Sequence, residues 1–169
     1  MSQVSKKLKL NLGCGRRILK GYTNIDFKPF GNKIIVMDVR DLQYPDDSVD
    51  EILAEFVLEH IPYFDTQETL WEWWRVLKVG GKLVLLVPDF DIIAEQWLER
   101  KLSRKHLHYQ LYCPILNPKK QMPHFCTFDK FYLRELLEGE GFEIESMENI
   151  GTDVKVVAIK KLEKEGTCR

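Results

Sequence analysis

The chain has 169 residues, of which 44% are apolar and 30% charged, with a formal net charge of -1. That is enough for one domain with a real core, and the near balance of charge gives no global field for nucleic acid or an anionic membrane. No apolar run is long enough to span a bilayer, and residues 1–7 lack a hydrophobic signal core. Cys14, Cys113, Cys126 and Cys168 form no Cys-x-x-Cys pair, so neither a disulfide framework nor a zinc knuckle is expected, and no metal. The expected compartment is a reducing cytoplasm.

Leu8–Leu12 reads as a buried strand, Thr23–Asp26 as a short second, Lys33–Met37 as a third and Asp50–Ala54 as a fourth. A helix follows over about Asp65 to Leu77. Asp65 and Glu68 have capping-box spacing, and Leu70, Trp73, Trp74 and Leu77 form its apolar stripe. Val79-Gly80-Gly81 should stop it. Lys82–Val87 is continuous and apolar, as a central parallel strand should be. A second helix is predicted from Asp91 to about Ser103, and a third from Thr127 or Phe128 to Glu138. Phe142–Met147 and Asp153–Lys160 complete the strands around a Gly151 turn. The expected organisation is one domain over 1–160, with an irregular segment inside 91–126 serving as lid or acceptor wall, and a polar tail over 161–169.

Alternation of strands and helices implies a parallel α/β sheet. The first crossovers are short, however: nine residues separate Gly15 from Ile25, and seven separate Asp26 from Ile34. A parallel crossover with a helix needs a dozen or more. Helices should therefore be reduced on one face, which threatens to expose Leu8, Leu10, Ile34 and Val36. Either the segment from Asp91 to Phe125 folds over them or a second copy does, and a homodimer is the favoured expectation.

Gly13-Cys14-Gly15 follows the first strand. Glycine there lets backbone N–H groups approach a ligand closely; a plain tight turn is the other reading. A hydride-transfer dinucleotide fold would place a third glycine at position 18, where Ile18 stands, so NAD is a poor fit. Asp26 ends the second strand, where an acid can accept from vicinal ribose hydroxyls. Its alternative is a turn cap.

Residues 38–50 (Asp-Val-Arg-Asp-Leu-Gln-Tyr-Pro-Asp-Asp-Ser-Val-Asp), then Leu58-Glu59-His60-Ile61 and Arg75-Val76-Leu77-Lys78-Val79-Gly80-Gly81, complete an ordered series with the glycine loop and Asp26. In these motifs the chain resembles the class I S-adenosylmethionine-dependent methyltransferases, in particular the methyltransferase type 11 group. The match runs from about Leu8 to Pro88 and more loosely through Gly141-Phe142. The resemblance implies a Rossmann-like sheet, mostly parallel with an antiparallel last strand, and S-adenosylmethionine as cofactor. It implies that Gly13, Cys14 and Gly15 meet the methionyl part and that Asp26 binds the ribose. Asp38 and Val39 would meet adenine, with Glu55 and Phe56 near the sulfonium. Asn11 stands where the group usually has an acid, and Arg17 where a third glycine is common. Asn11 can still hydrogen-bond in that place. The near absence of a first helix resembles a small subgroup tied to sugar and cell-surface polysaccharide synthesis.

For the acceptor, the expectation is a small molecule or saccharide. Readings as an RNA or protein methyltransferase, or as a cofactor-binding module without catalysis, stay open. The Asn-Pro-Pro-Tyr type motif of amino-directed nucleic-acid enzymes is absent after the fourth strand, which lowers the nucleic-acid reading. His60, Glu59 and His124 are the acid–base candidates, with structural packing the competing role for His60. The basic residues from Arg100 to His106 read either as a phosphate dock or as a solvated helix end.

Overall fold

A computed structural model describes residues 7–113 and 122–162. Seven strands form one sheet: β1 (Lys9–Leu12), β2 (Thr23–Asp26), β3 (Ile35–Val36), β4 (Val49–Glu55), β5 (Leu77–Pro88), β6 (Phe142–Ile150) and β7 (Asp153–Lys160). Their order is β3-β2-β1-β4-β5-β7-β6. All neighbours from β3 to β5 pair in parallel, and β7 runs antiparallel to both β5 and β6. The helices are α1 (Tyr63–Val76), α2 (Phe90–Leu98), α3 (Arg104–Tyr112) and α4 (Lys130–Gly139), with a single 3-10 turn at Leu58–His60. Among the described residues no helix is long and apolar enough to cross a membrane.

The alternation in β7 buries Val154, Val156 and Ala158 against β5, whose Leu83, Leu85 and Val87 are also fully buried. Between α1 and β5 there is no loop. Leu77 already pairs with Val49, and the register then jumps to Glu51 opposite Lys82. Gly80, at φ +77°, accommodates that jump. The two glycines predicted to end a helix thus sit inside a strand.

α1 begins at Tyr63, two residues before the predicted start, after Pro62 as N-cap, whose carbonyl accepts from Asp65 N–H at 2.8 Å. Asp65 does not cap the helix and instead pairs with Arg40 at 2.9 Å. α2 is capped by Asp89, which accepts from the Asp91 and Ile92 N–H groups. It stops at Leu98, earlier than predicted, because Arg100 turns to φ +60°. Ser103 then caps α3, a helix in what reads from sequence as irregular chain. Arg104, Lys105 and His106 therefore lie at a helix start, not at a solvated helix C-terminus. Residues 114–121 of the expected lid and 163–169 of the expected tail lie outside the described residues.

The polar link from Asp38 to Val49 is docked by α1. Buried Trp73 donates to the Val39 carbonyl at 2.8 Å, and Glu72 accepts from Leu42 N–H at 2.8 Å. Arg75 donates to the carbonyls of Tyr44 (3.0 Å) and Leu42 (3.1 Å). These bonds hold Asp38 and Val39 at the sheet's edge without a covering helix. The short crossovers leave β3 bare, with Ile35 45% and Val36 56% exposed. Leu10, by contrast, is fully buried, and Leu8 and Ile34 are half-buried.

Candidate active site

The carboxyl ends of β1, β2, β3 and β4 open into a cleft of about 580 Å³. It lies where the strand order reverses, between β1 and β4, the usual ligand crevice of such sheets. Gly13, Gly15, Asp26, Asp38, Val39, Phe56 and His60 all line it.

Gly13 and Gly15 are both left-handed, at φ +57° and +52°. A Cβ at Gly13 would stand 2.5 Å from Val57 Cγ2, whereas nothing lies within 4 Å of one at Gly15. Gly13 thus packs the loop onto the core, and Gly15 keeps the mouth open. Asp26 is buried, yet its carboxylate faces the cleft. One oxygen accepts from Gly15 N–H at 2.8 Å and the other from Lys28 N–H at 2.9 Å. Each oxygen keeps a further lone pair for a ligand hydroxyl. Burial, with Asp26 as a second cause, pushes the Cys14 thiol up from its usual range, so it is an uncharged part of the loop.

Asp38 is half exposed and grips Arg40 through both oxygens, at 3.1 Å to Nε and 2.8 Å to Nη2. The guanidinium holds its carboxyl below the usual range. Phe27, Phe30, Val39 and Ile61 add apolar wall on this side. A buried carboxylate, open backbone and flat apolar walls fit an adenosyl group with its ribose.

Asn11 is buried beneath the loop. Its amide donates to the Arg17 carbonyl at 2.9 Å and to Asn24 Oδ1 at 2.8 Å. Glu55 ion-pairs with Arg17 across the loop mouth. Phe56 adopts φ +56°, a conformation that costs a bulky side chain on the order of 1–3 kcal/mol. Its ring is 45% exposed at the edge of the cleft.

Behind Phe56 lies a second cavity of about 310 Å³, which shares Phe56, His60 and Cys113 with the cleft. The structure brings Glu59, His60 and His124 together on it, with Asp153 and Tyr109. The two imidazoles meet edge to face, with ring centroids 4.8 Å apart. His60 Nδ1 lies 3.0 Å from the Pro123 carbonyl and His124 Nδ1 2.9 Å from the Gln110 carbonyl. A carbonyl only accepts, so each Nδ1 carries the proton, and in the neutral ring Nε2 is then the acceptor nitrogen; the Met122 carbonyl is a further acceptor for His60. Burial holds both imidazoles below their usual pKa, and His60 adds to the lowering at His124. Glu59 is 1% exposed, neither carboxylate oxygen has a partner among the described residues, and burial pushes its pKa up to about 8.

Several lining residues escape a reading of the sequence. Phe27 and Phe30 follow Asp26 closely, and Arg40 follows Asp38, so a search just past each strand-ending acid could find them. Asp153 carries no local signal. Only the pairing of β7 with β5, which sets it opposite Pro88, brings it to the cavity.

A methyltransferase domain model matches residues 16–85. The chain is 37% identical over 71 residues to the chloroplastic 2-methyl-6-phytyl-1,4-hydroquinone methyltransferase of Arabidopsis thaliana. That stretch is 42% of this chain and spans 20% of the length of that relative. Among solved structures, a Methanosarcina mazei S-adenosylmethionine-dependent methyltransferase superposes with TM-score 0.67 at 19% identity, over 95% of each chain. One from Mesorhizobium loti gives 0.65 at 15% identity, over 95% of this chain and 94% of that one. The Burkholderia thailandensis 1,6-didemethyltoxoflavin-N1-methyltransferase, solved with S-adenosylhomocysteine, gives 0.63 at 16% identity, over 91% of this chain and 71% of that one. Strand order and site position make this chain similar in fold to the class I methyltransferases, and the domain match adds a sequence likeness over residues 16–85. S-adenosylmethionine is the methyl donor of that family.

Proposed function

We propose that the chain transfers a methyl group from S-adenosylmethionine to a small-molecule or saccharide acceptor. The observation that carries this reading is the pair of joined cavities. One offers Gly13, Gly15, Asp26 and Asp38 to an adenosyl group, and the other offers an acid–base cluster to whatever faces it. S-adenosylmethionine, when bound, supplies an electrophilic methyl on a positively charged sulfur. The residues of the chain do the rest. Asp26 accepts from the ribose hydroxyls while it pins the Gly15 amide. Asp38 accepts from the adenine edge, with Val39 beside it. Backbone at Gly13, Cys14 and Gly15 meets the amino-acid end, and buried Asn11 holds that loop through the Arg17 carbonyl. Glu55 and Phe56 border the place where the two cavities meet. Phe56 shields it from water, and Glu55 adds negative charge.

On the acceptor side, His60 or His124 takes up a hydroxyl proton at Nε2, and buried Glu59 lies beside them. Much of the rate would come from holding donor and acceptor in line. The 2-methyl-6-phytyl-1,4-hydroquinone enzyme acts on a small hydroquinone by its name, which favours a small acceptor here too. We assign residues 91–126 to the acceptor wall on the strength of α3, which contributes Tyr109 and Gln110 to the second cavity. The bare β3 edge favours a second copy packing there.

The test is transfer of labelled methyl groups from S-adenosylmethionine to a panel of hydroxylated small molecules, glycans, RNA and protein. Label in the first two classes and none in the last two is expected. Label in RNA or protein alone would redirect the acceptor, and cofactor binding with no turnover on any class would support a module without catalysis.

A further inference from the structure

We propose that Glu59, His60 and His124 form a binding site for one divalent transition-metal ion, zinc in class. The inference rests on the methyltransferase reading for the use of the ion, not for its existence.

Three observations carry it. First, one potential ligand atom from each of the three residues lies within 4.8 Å of those from the other two. Ligand atoms around a tetrahedral zinc stand about 3.3 Å apart, given bonds of about 2.0–2.1 Å. The triad is therefore open by about 1–1.5 Å, within reach of side-chain rotation. Second, each imidazole is already set as a metal-binding histidine is set. Its Nδ1–H is given to a backbone carbonyl, Pro123 for one and Gln110 for the other, which aims the Nε2 lone pair away from that bond. Third, Glu59 is buried with both carboxylate oxygens lacking a partner among the described residues, and Asp153 Oδ1 on the same cavity is in the same condition. A buried carboxyl without a partner is costly. Among the described residues no lysine or arginine lines this cavity, and the further basic side chain on it is His106. Two unmet carboxyls and two imidazole lone pairs around 310 Å³ make a space that calls for a cation.

The donor set selects the metal. Two imidazoles and one carboxylate suit zinc and its neighbours better than magnesium or calcium, which prefer oxygen alone. Three protein ligands also leave a fourth position open, as catalytic sites do and structural sites do not. The cavity shares Phe56 and His60 with the cofactor cleft, so an acceptor oxygen in that position would face the methyl donor. A hydroxyl held there loses its proton more readily. With both imidazoles given to the ion, the proton passes to the Asp153 carboxylate instead of to His60 or His124, and the O–H electron pair forms the new O–CH3 bond as the C–S bond breaks.

The chain should be stripped of metal, then titrated with zinc and, in parallel, with cobalt as a spectroscopic stand-in. One ion should bind per chain. Glu59→Gln and His124→Ala should each weaken it about tenfold or more, while affinity for S-adenosylhomocysteine stays within about twofold. Far-ultraviolet dichroism checks that both variants fold, and the conservative Glu59→Gln serves where the alanine variant does not. Cobalt should give a four-coordinate spectrum without thiolate charge transfer. Binding that neither substitution weakens, or a thiolate band assigning the ion to Cys14, Cys113 or Cys126, would overturn the site. Zinc failing while S-adenosylhomocysteine binds removes the metal alone. S-adenosylhomocysteine failing while zinc binds removes the cofactor reading alone.

Discussion

In the cleft over β1 and β2 the carboxylates are partnered: Asp26 by the Gly15 and Lys28 amides, Asp38 by Arg40. In the cavity behind Phe56, Glu59 has no partner among the described residues on either oxygen, and Asp153 none on Oδ1. The first arrangement is pre-organised, so a ligand finds its acceptors already aimed and loses little on ordering them. The second holds unmet polarity in a buried place, where a proton, a cation or a substrate hydroxyl has the most to gain. The proposed function thus divides binding and chemistry between two neighbouring spaces with different electrostatics, joined at Phe56, His60 and Cys113.

The largest expected effect tests the second space. His60→Ala should lower methyl transfer to a hydroxyl acceptor by about 10²–10⁴-fold and leave cofactor affinity nearly intact. Single-turnover rates with calorimetric affinities would separate the two. A variant that only melts earlier, at unchanged rate, would return His60 to packing. Gly13→Ala comes next, and it acts on the first space. Its Cβ would collide with Val57 at a left-handed φ, so it should cost about 1–3 kcal/mol of stability. Urea unfolding would measure it, and a neutral result would mean that the loop can move away from Val57.

A third expectation concerns pH. Glu59 has a folded pKa of about 8 against an ordinary 4.5. Between those values the folded chain holds a proton that the unfolded chain has lost, so stability falls as pH rises. Asp153, raised by burial, has the same sign. His60 and His124, lowered by burial, have the opposite sign below about 6.5. Cys113, raised by burial and by Glu59, adds only near its ordinary 9. From about pH 6.5 to 8, then, metal-free protein should lose stability on the order of a few kcal/mol. Glu59→Gln should flatten that slope. A wild-type melting temperature level across that window would contradict the unmet carboxyl.

The smallest effect belongs to Asp38. Its carboxylate is half exposed and shared with Arg40, so Asp38→Ala should weaken adenosine binding by about 1 kcal/mol or less and leave methionine competition unchanged. A loss in methionine competition alone would move Asp38 to the other end of the cleft.

How much of this was legible in the sequence follows the same division. The first space is built at the ends of consecutive strands, so Gly13, Gly15, Asp26 and Asp38 stand in one short stretch of chain, each after an apolar run. Strands Thr23–Asp26 and Asp153–Lys160 fall where their alternation and turn residues put them. The second space is assembled across the sheet. Asp153 arrives through antiparallel pairing with β5, and Gln110 through a helix with no buried residue and little apolar stripe. Nothing local marks such residues. Arg40 is missed for another reason: an exposed arginine in a polar link looks like any solvated charge until Asp38 and Asp65 are seen on either side of it.

The central claim is that the cleft over β1 and β2 holds an adenosyl ligand through Asp26. Titration calorimetry with S-adenosylhomocysteine tests it most directly. Micromolar binding to the native chain is expected, weakened by about 1–3 kcal/mol, or roughly 5–150-fold, in Asp26→Ala. Equal affinity in the two proteins, or no binding to the native chain, would contradict the account.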